Sequence, residues 1–373
     1  MSVISWAEDD STRCARWHSE NDSAPPKRIV VADDRMTADT AYKLACEGTG
    51  LLWRGDYHNA RNLLNAMGRR IDRKPRPNGS DPAECFHLHR RARRHRALVL
   101  GRVLVELDRD HALALRRAPA VRQACTEAYG PPQDSRVVAL TELLGLIGAH
   151  EWRTRGVEVP ALGARIHPHY GVFSPVRGEY VDLVAQAELP DPLPRTAFDL
   201  GTGTGVLAAV LAGRGVDRIV GTDNNPRALI CARDNIRRLG LTDRIRVTGP
   251  ALYPPGRADL VVCNPPWLPT RPTSAVETGV YDQNSVMLRG FLAGLAEHLE
   301  PRGEGWLLLS DLAERLGLRG ADDVPALIAE AGLEVLDKTG TNPRHPRARD
   351  TTDPLHTARA AEVTSLWRLT PRT

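Results

Sequence analysis

The stretch from Thr196 to Pro269 constrains this 373-residue chain more than any other. It opens with Ala197-Phe198-Asp199-Leu200, an apolar strand pattern that runs into Gly201-Thr202-Gly203-Thr204-Gly205 and then into the helical run Val206 to Ala212. Glycine has no Cβ, so such a turn can take positive φ and its backbone can press against a ligand. A second strand, Arg218 to Thr222, ends in the acid Asp223, and a later one, Ala258 to Cys263, ends in Asn264-Pro265-Pro266-Trp267. Strands alternating with helices imply a parallel sheet covered on both faces, and ligands in such sheets sit at the carboxyl ends of the strands. All three motifs lie at such ends.

Spacing narrows the cofactor. Dinucleotide enzymes use G-x-G-x-x-G with an acid about 20 positions on, whereas the pattern here is G-x-G-x-G. No Gly-Lys-Ser/Thr follows the glycines, so β- and γ-phosphates find no cradle. A nucleoside cofactor without phosphates fits better.

Asp199-Leu200-Gly201-Thr202-Gly203-Thr204-Gly205, Asp223 and Asn264-Pro265-Pro266-Trp267 together resemble the class I S-adenosylmethionine-dependent methyltransferases. More narrowly, they resemble the "small domain" group that includes HemK-like glutamine methyltransferases and several rRNA and tRNA base methyltransferases. The resemblance extends from about Tyr170 to the C-terminus. It implies an α/β fold with a seven-stranded Rossmann-like sheet of order 3-2-1-4-5-7-6, the last strand antiparallel beside the fifth, and S-adenosylmethionine as cofactor.

Roles follow residue by residue. Gly201, Thr202, Gly203 and Gly205 form the cofactor loop. Asp223, with Asn224 beside it, faces the ribose, whose hydroxyls both carboxylate oxygens can serve. Asp199 either holds the methionine amino group or ties down loop amides. Phe173, Ser174, Pro175 and Arg177 stand where the family lays an extended element against the methionine end. The glutamine methyltransferases carry an Arg-Pro-Glu-Thr-Glu-like run there; this chain has Ser174-Pro175-Val176-Arg177-Gly178-Glu179, which weakens an assignment to glutamine. Where the family often has an acid near the adenine, this chain reads Val247-Thr248-Gly249-Pro250-Ala251, so the adenine amine needs another partner or a backbone one.

Asn264-Pro265-Pro266-Trp267 suits the methylation of a planar nitrogen whose lone pair is delocalised. If the Asn264 side-chain oxygen and the Pro265 carbonyl each accept one hydrogen of an NH₂, the nitrogen is drawn toward sp³ character and aimed at the methyl carbon. The prolines stiffen the turn, and the Trp267 indole is expected to stack on the planar acceptor.

The rest of the chain is read from pattern. At this length about two domains are expected, and 42% hydrophobic residues suffice for packed cores. The expected division is a flexible arm over 1–36, an all-helical recognition domain over 37–155 and the methyltransferase domain over 156–373. Within the helical domain, Thr37 and Asp56 are expected N-caps, and helices are expected at 82–107, 112–128 and 135–147, with breakers at Pro75 to Asp81. Trp53 and Tyr57 read as a stacking platform or as core. The six cysteines are scattered without a C-x-x-C pair, so no metal is expected. No apolar run is long enough for a membrane span, and the polar N-terminus points to a cytoplasmic location.

Net charge is +4, but His87 to Arg96 is densely basic, fit either for phosphates or for a solvated helix face. A long loop at Leu268 to Asp282 and a basic one at Asn342 to Arg359, with Arg344, His345, Arg347, Arg349, His356 and Arg359, are expected to overhang the strand ends. The expected acceptor is a macromolecule, either a nucleic-acid base or a glutamine of a translation protein. The alternative is a small-molecule methyltransferase with the helical domain as a lid.

Overall fold

The computed structural model describes residues 2–73, 79–274, 276–344 and 346–372. The chain divides into two compact units: residues 1–79 with 86–151, and residues 80–85 with 152–373.

The first unit contains β1 (Val3–Glu8), β2 (Ser11–Trp17), β3 (Arg28–Ala32), α1 (Ala38–Cys46), β4 (Thr49–Trp53), α2 (Tyr57–Asp72), β5 (Val103–Leu107), α4 (Arg122–Tyr129) and β6 (Arg136–Ala139). It also takes most of α3 (Pro82–Leu100) and α5 (Leu140–Arg155). Its strands form one mixed sheet of order β1-β2-β6-β5-β4-β3. Two sequence expectations are therefore corrected. The unit is not all-helical, and residues 1–36 are not an arm, since they supply β1, β2 and β3. In β1 the alternation is short but real: Ile4 and Trp6 are buried between exposed neighbours. The apolar run after α3 is a strand, because Val103 and Leu104 pair with Leu51 and Leu52 of β4.

Local signals at α1 and α2 do operate. The Thr37 side chain accepts from the Thr40 amide and that of Asp56 from the His58 amide, satisfying donors that a helix start leaves unpaired. Asp56 is fully buried and holds Arg117 through both oxygens, at 2.7 and 2.8 Å. Trp53 and Tyr57 are core residues, the Trp53 indole donating to the Asp56 carbonyl. Residues 75–78 of the expected breaker cluster lie outside the described residues.

The second unit begins with a small hairpin, β7 (Val157–Val159) and β8 (Ala164–Ile166), then α6 (Glu179–Gln186). There follow β9 (Thr196–Leu200), α7 (Val206–Gly213), β10 (Arg218–Thr222), α8 (Pro226–Arg238), β11 (Ile245–Thr248) and β12 (Ala258–Cys263). The last part holds α9 (Val286–His298), β13 (Leu299–Ser310), α10 (Leu312–Arg315), α11 (Asp323–Glu330), β14 (Leu333–Thr341), α12 (His356–Ala360) and β15 (Thr364–Pro371). The large sheet runs β11-β10-β9-β12-β13-β15-β14, which is 3-2-1-4-5-7-6 when its strands are counted along the chain. β9 to β13 are parallel and β15 is antiparallel to both its neighbours. Leu260 to Cys263 of β12 are all buried, as a parallel strand covered on both faces requires. Helix α7 is buried all round from Val206 to Ala212, whereas α8 buries one stripe and exposes Arg233, Arg237 and Arg238. Packing this tight fixes the carboxyl ends of β9, β10 and β12.

Candidate active site

Those three strand ends open on one cavity of about 610 Å³, a size suited to a small cofactor with part of a substrate. Gly201, Thr202 and Gly203 line it from β9, Asp223 and Asn224 from β10, and Asn264 and Pro266 from β12. The turn needs its glycines: Gly201 has φ +70° and Gly203 φ +55°, and a Cβ on Gly201 would run into the Met287 side chain.

Asp223 binds the loop as well as facing the cavity. One carboxylate oxygen accepts from the Gly203 amide at 3.0 Å and the other from the Asn225 amide at 2.8 Å. Burial raises its pKa, and these backbone donors partly offset the rise. Each oxygen retains a lone pair for a further donor.

Asp199 has a different position. It is 1% exposed, does not line the cavity, and accepts from the Thr202 hydroxyl at 2.6 Å and the Ala208 amide at 3.1 Å. It ties the glycine turn to the first turn of α7. Burial pushes its carboxyl up to about 6.

Asn264, at the end of β12, is half-buried and lines the cavity. Its side-chain oxygen accepts from the Trp267 indole at 3.0 Å. Pro265 is buried and off the cavity wall. Trp267 does not line the cavity either: it packs against the core on both sides of the sheet, with the Arg177 guanidinium 5.5 Å from its ring centre. Arg177 in turn donates at 2.8 Å to Glu362, a fully buried acid that also accepts from Ser310 at 2.6 Å. Arg319 donates to the Trp267 carbonyl at 3.3 Å. Trp267 and Arg177 are thus off the cavity wall: the indole holds Asn264, and Arg177 lies over the indole. Phe173 does line the cavity.

The loop after the Pro-Pro turn closes one wall. The Leu268 amide donates to the Val280 carbonyl and the Asp282 amide to the Leu268 carbonyl, which folds the segment back so that Tyr281, Asp282 and Gln283 reach the cavity. Asp282 accepts from the Met287 amide at 2.7 Å, and burial raises its pKa. Gln283 and Met287 carry no local motif that would have marked them; only the fold-back does. Ala251 and Leu252 line the cavity beyond β11, where the sequence has no acid. In the other loop, the Arg344 amide donates to Glu179 at 2.5 Å and the Arg359 side chain pairs with Asp353 at 3.0 Å. His345 lies outside the described residues.

The lining residues include two carboxylates, Asp223 and Asp282, and neither lysine nor arginine. A polyphosphate would meet only like charge here, whereas a nucleoside bearing a positive centre meets opposite charge. Residues 163–312 match the family model described as "Methyltransferase small domain".

In this segment the chain is similar to S-adenosylmethionine-dependent methyltransferases. Among relatives, the ribosomal protein L11 methyltransferase of Tolumonas auensis is 31% identical over 32% of this chain and 42% of its own length. That of Vibrio vulnificus is 34% identical over 28% of this chain and 36% of its own. The chain thus spans less than half the length of these relatives. The solved ribosomal protein L11 methylase of Lactobacillus delbrueckii subsp. bulgaricus is 18% identical, with TM-score 0.38, over 56% of this chain and 86% of that one. S-adenosylmethionine is the cofactor this likeness implies, and the cavity's acidic, phosphate-averse lining together with its glycine cradle fits it. No group of three or more metal-ligating side chains occurs among the described residues. Nor, among them, is any helix long and apolar enough to cross a membrane.

Proposed function

We propose that this chain is an S-adenosylmethionine-dependent N-methyltransferase that acts on a planar amide or exocyclic amine nitrogen of a macromolecule. The observation that carries the reading is Asn264 on the wall of the cofactor-sized cavity, its side-chain oxygen held by Trp267 at 3.0 Å.

The cofactor supplies an electrophilic methyl group on a sulfonium sulfur. Asp223 holds the ribose hydroxyls while its own position is kept by the Gly203 and Asn225 amides. With the indole occupying one lone pair, the Asn264 oxygen keeps a second for a hydrogen of the acceptor NH₂. That bond to the oriented Asn264 oxygen fixes the nitrogen before reaction. Methylation leaves a cationic nitrogen, which releases its proton to water without a strong base.

A macromolecular acceptor is favoured over a small molecule because the relatives are named for a ribosomal protein. The same names support a component of the translation apparatus as the class to try first. The test is incubation with methyl-labelled S-adenosylmethionine and a cell extract separated into protein, RNA and small-molecule fractions. Label in protein or RNA is expected; label confined to the small-molecule fraction would overturn the macromolecular reading.

A further inference from the structure

We infer that α3 forms a surface on the first unit that binds the phosphodiester backbone of a nucleic acid. This goes beyond the methyl-transfer reading and does not rest on it.

α3 carries Arg90, Arg91, Arg93, Arg94 and Arg96 against the single acid Glu84. Its apolar residues Phe86, Val99 and Leu100 are buried, so the helix is anchored toward its two ends. Between them His87, Arg91, Arg93, Arg94 and His95 are exposed. His87, Arg91 and Arg94 stand at i, i+4 and i+7 and form one stripe, roughly 10 Å long at 1.5 Å rise per residue.

The end of α2 packs on the other side of α3, through Arg96. Arg96 meets Asp72 at 3.3 Å and lies over Gly68, where a Cβ would clash with its guanidinium. That contact sets the end of α2 beside the C-terminal part of α3 and leaves the stripe on the opposite side uncovered by it. Among the described residues no ion pair engages Arg91, Arg93 or Arg94. Arg91, Arg93 and Arg94, within four residues of one another, are thus left to repel until an anion is supplied.

The kind of anion follows from what the face lacks. A protein partner would seek buried aromatic or aliphatic anchors, and Leu98 is the one large apolar residue exposed on α3. A membrane surface would need an apolar face to bury, but that of α3 is already inside the unit. Guanidinium groups match phosphate oxygens in paired hydrogen bonds, and a row of them matches a row of phosphates.

The full chain is titrated by fluorescence anisotropy into labelled single-stranded RNA, duplex RNA and duplex DNA between ~50 and ~200 mM salt, where phosphate contacts give a steep slope. Tighter binding to one of the three identifies the source. The joint variant Arg91→Ala, Arg93→Ala, Arg94→Ala is expected to bind about tenfold or more weakly at ~50 mM salt and to lose about two to three from the salt slope. The same three positions changed to Lys should keep the slope. Unchanged cofactor binding by calorimetry and an unchanged melting temperature confirm that the Ala variant is folded. The proposal is overturned if the wild type binds none of the three, if the Ala variant matches it, or if polyglutamate or anionic vesicles bind as tightly as RNA and DNA.

Discussion

The Trp267 indole donates its N–H to the side-chain oxygen of Asn264 at 3.0 Å, three residues away in the same turn. An asparagine amide has two faces of opposite polarity, and this bond selects the one that presents oxygen. On the proposed function, the aromatic residue of the motif acts on the acceptor through Asn264. Trp267→Phe keeps the ring and removes the donor. A neutral hydrogen bond contributes about 1 kcal/mol or slightly more, so turnover should fall about tenfold with the cofactor dissociation constant unchanged. Single-turnover kinetics beside calorimetry would separate the two effects, and a loss confined to cofactor affinity would sink the idea.

Asn264 itself is expected to matter more to rate than to cofactor binding. Removing a polar group from a preorganised site costs on the order of 10² to 10³ in rate, about 3 to 4 kcal/mol. Asn264→Ala should lose that much turnover and still bind S-adenosylmethionine near the wild-type level. Asn264→Asp should keep part of the activity, since a carboxylate still accepts. Wild-type turnover in the Ala variant would redirect attention to oxygen or carbon methylation.

Asp223 combines two duties, bracing the Gly203 amide and facing the cavity. Asp223→Ala should therefore weaken cofactor binding by a factor of ten or more, about 1.5 to 3 kcal/mol for a hydrogen bond to a charged group. Titration calorimetry reads this directly. Equal affinity in the variant would remove Asp223 from the ribose role.

Asp199 supplies a pH prediction. Its carboxyl is raised from 3.8 to about 6 by burial, so between those values the folded chain holds a proton that the unfolded chain has released. The stability it contributes is full below about pH 4 and is lost as pH rises through about 6. Glu8 runs the other way: Arg54 holds it down at about 2, so its contribution is lost as pH falls toward that value. Urea unfolding of wild type and Asp199→Asn across about pH 4 to 7 should show the difference between them shrinking or reversing as pH rises through about 6. A difference that stayed constant would mean Asp199 does not titrate there.

Much of the second unit was legible because its signals are local. A glycine turn after an apolar strand, the Asn225 cap before Pro226 and the periodic burial of α8 each lie within a few residues. The first unit was misread for the opposite reason. Val103 to Leu107 follows a helix without a break, and a short apolar run has no period that separates strand from helix. What makes it a strand is Leu51 and Leu52, half a unit away in sequence. The same holds for Ser11 to Trp17, whose last residues pair with Arg136 and Val137.

By itself the sequence determined which residues end the strands of the second unit, and so which could surround a cofactor: Gly201, Gly203, Asp223 and Asn264. Backbone sterics and periodicity act over a few residues and need no partner from elsewhere. Only the tertiary structure decided what each side chain does there. Asp199 was drawn inward to the Thr202 hydroxyl and the Ala208 amide. Trp267 packs against the core on both sides of the sheet, under an Arg177 that is itself held by Glu362. A side chain's orientation is set by the groups that pack against it, and here those groups come from parts of the chain far apart in sequence, brought together only when the sheet closes its core.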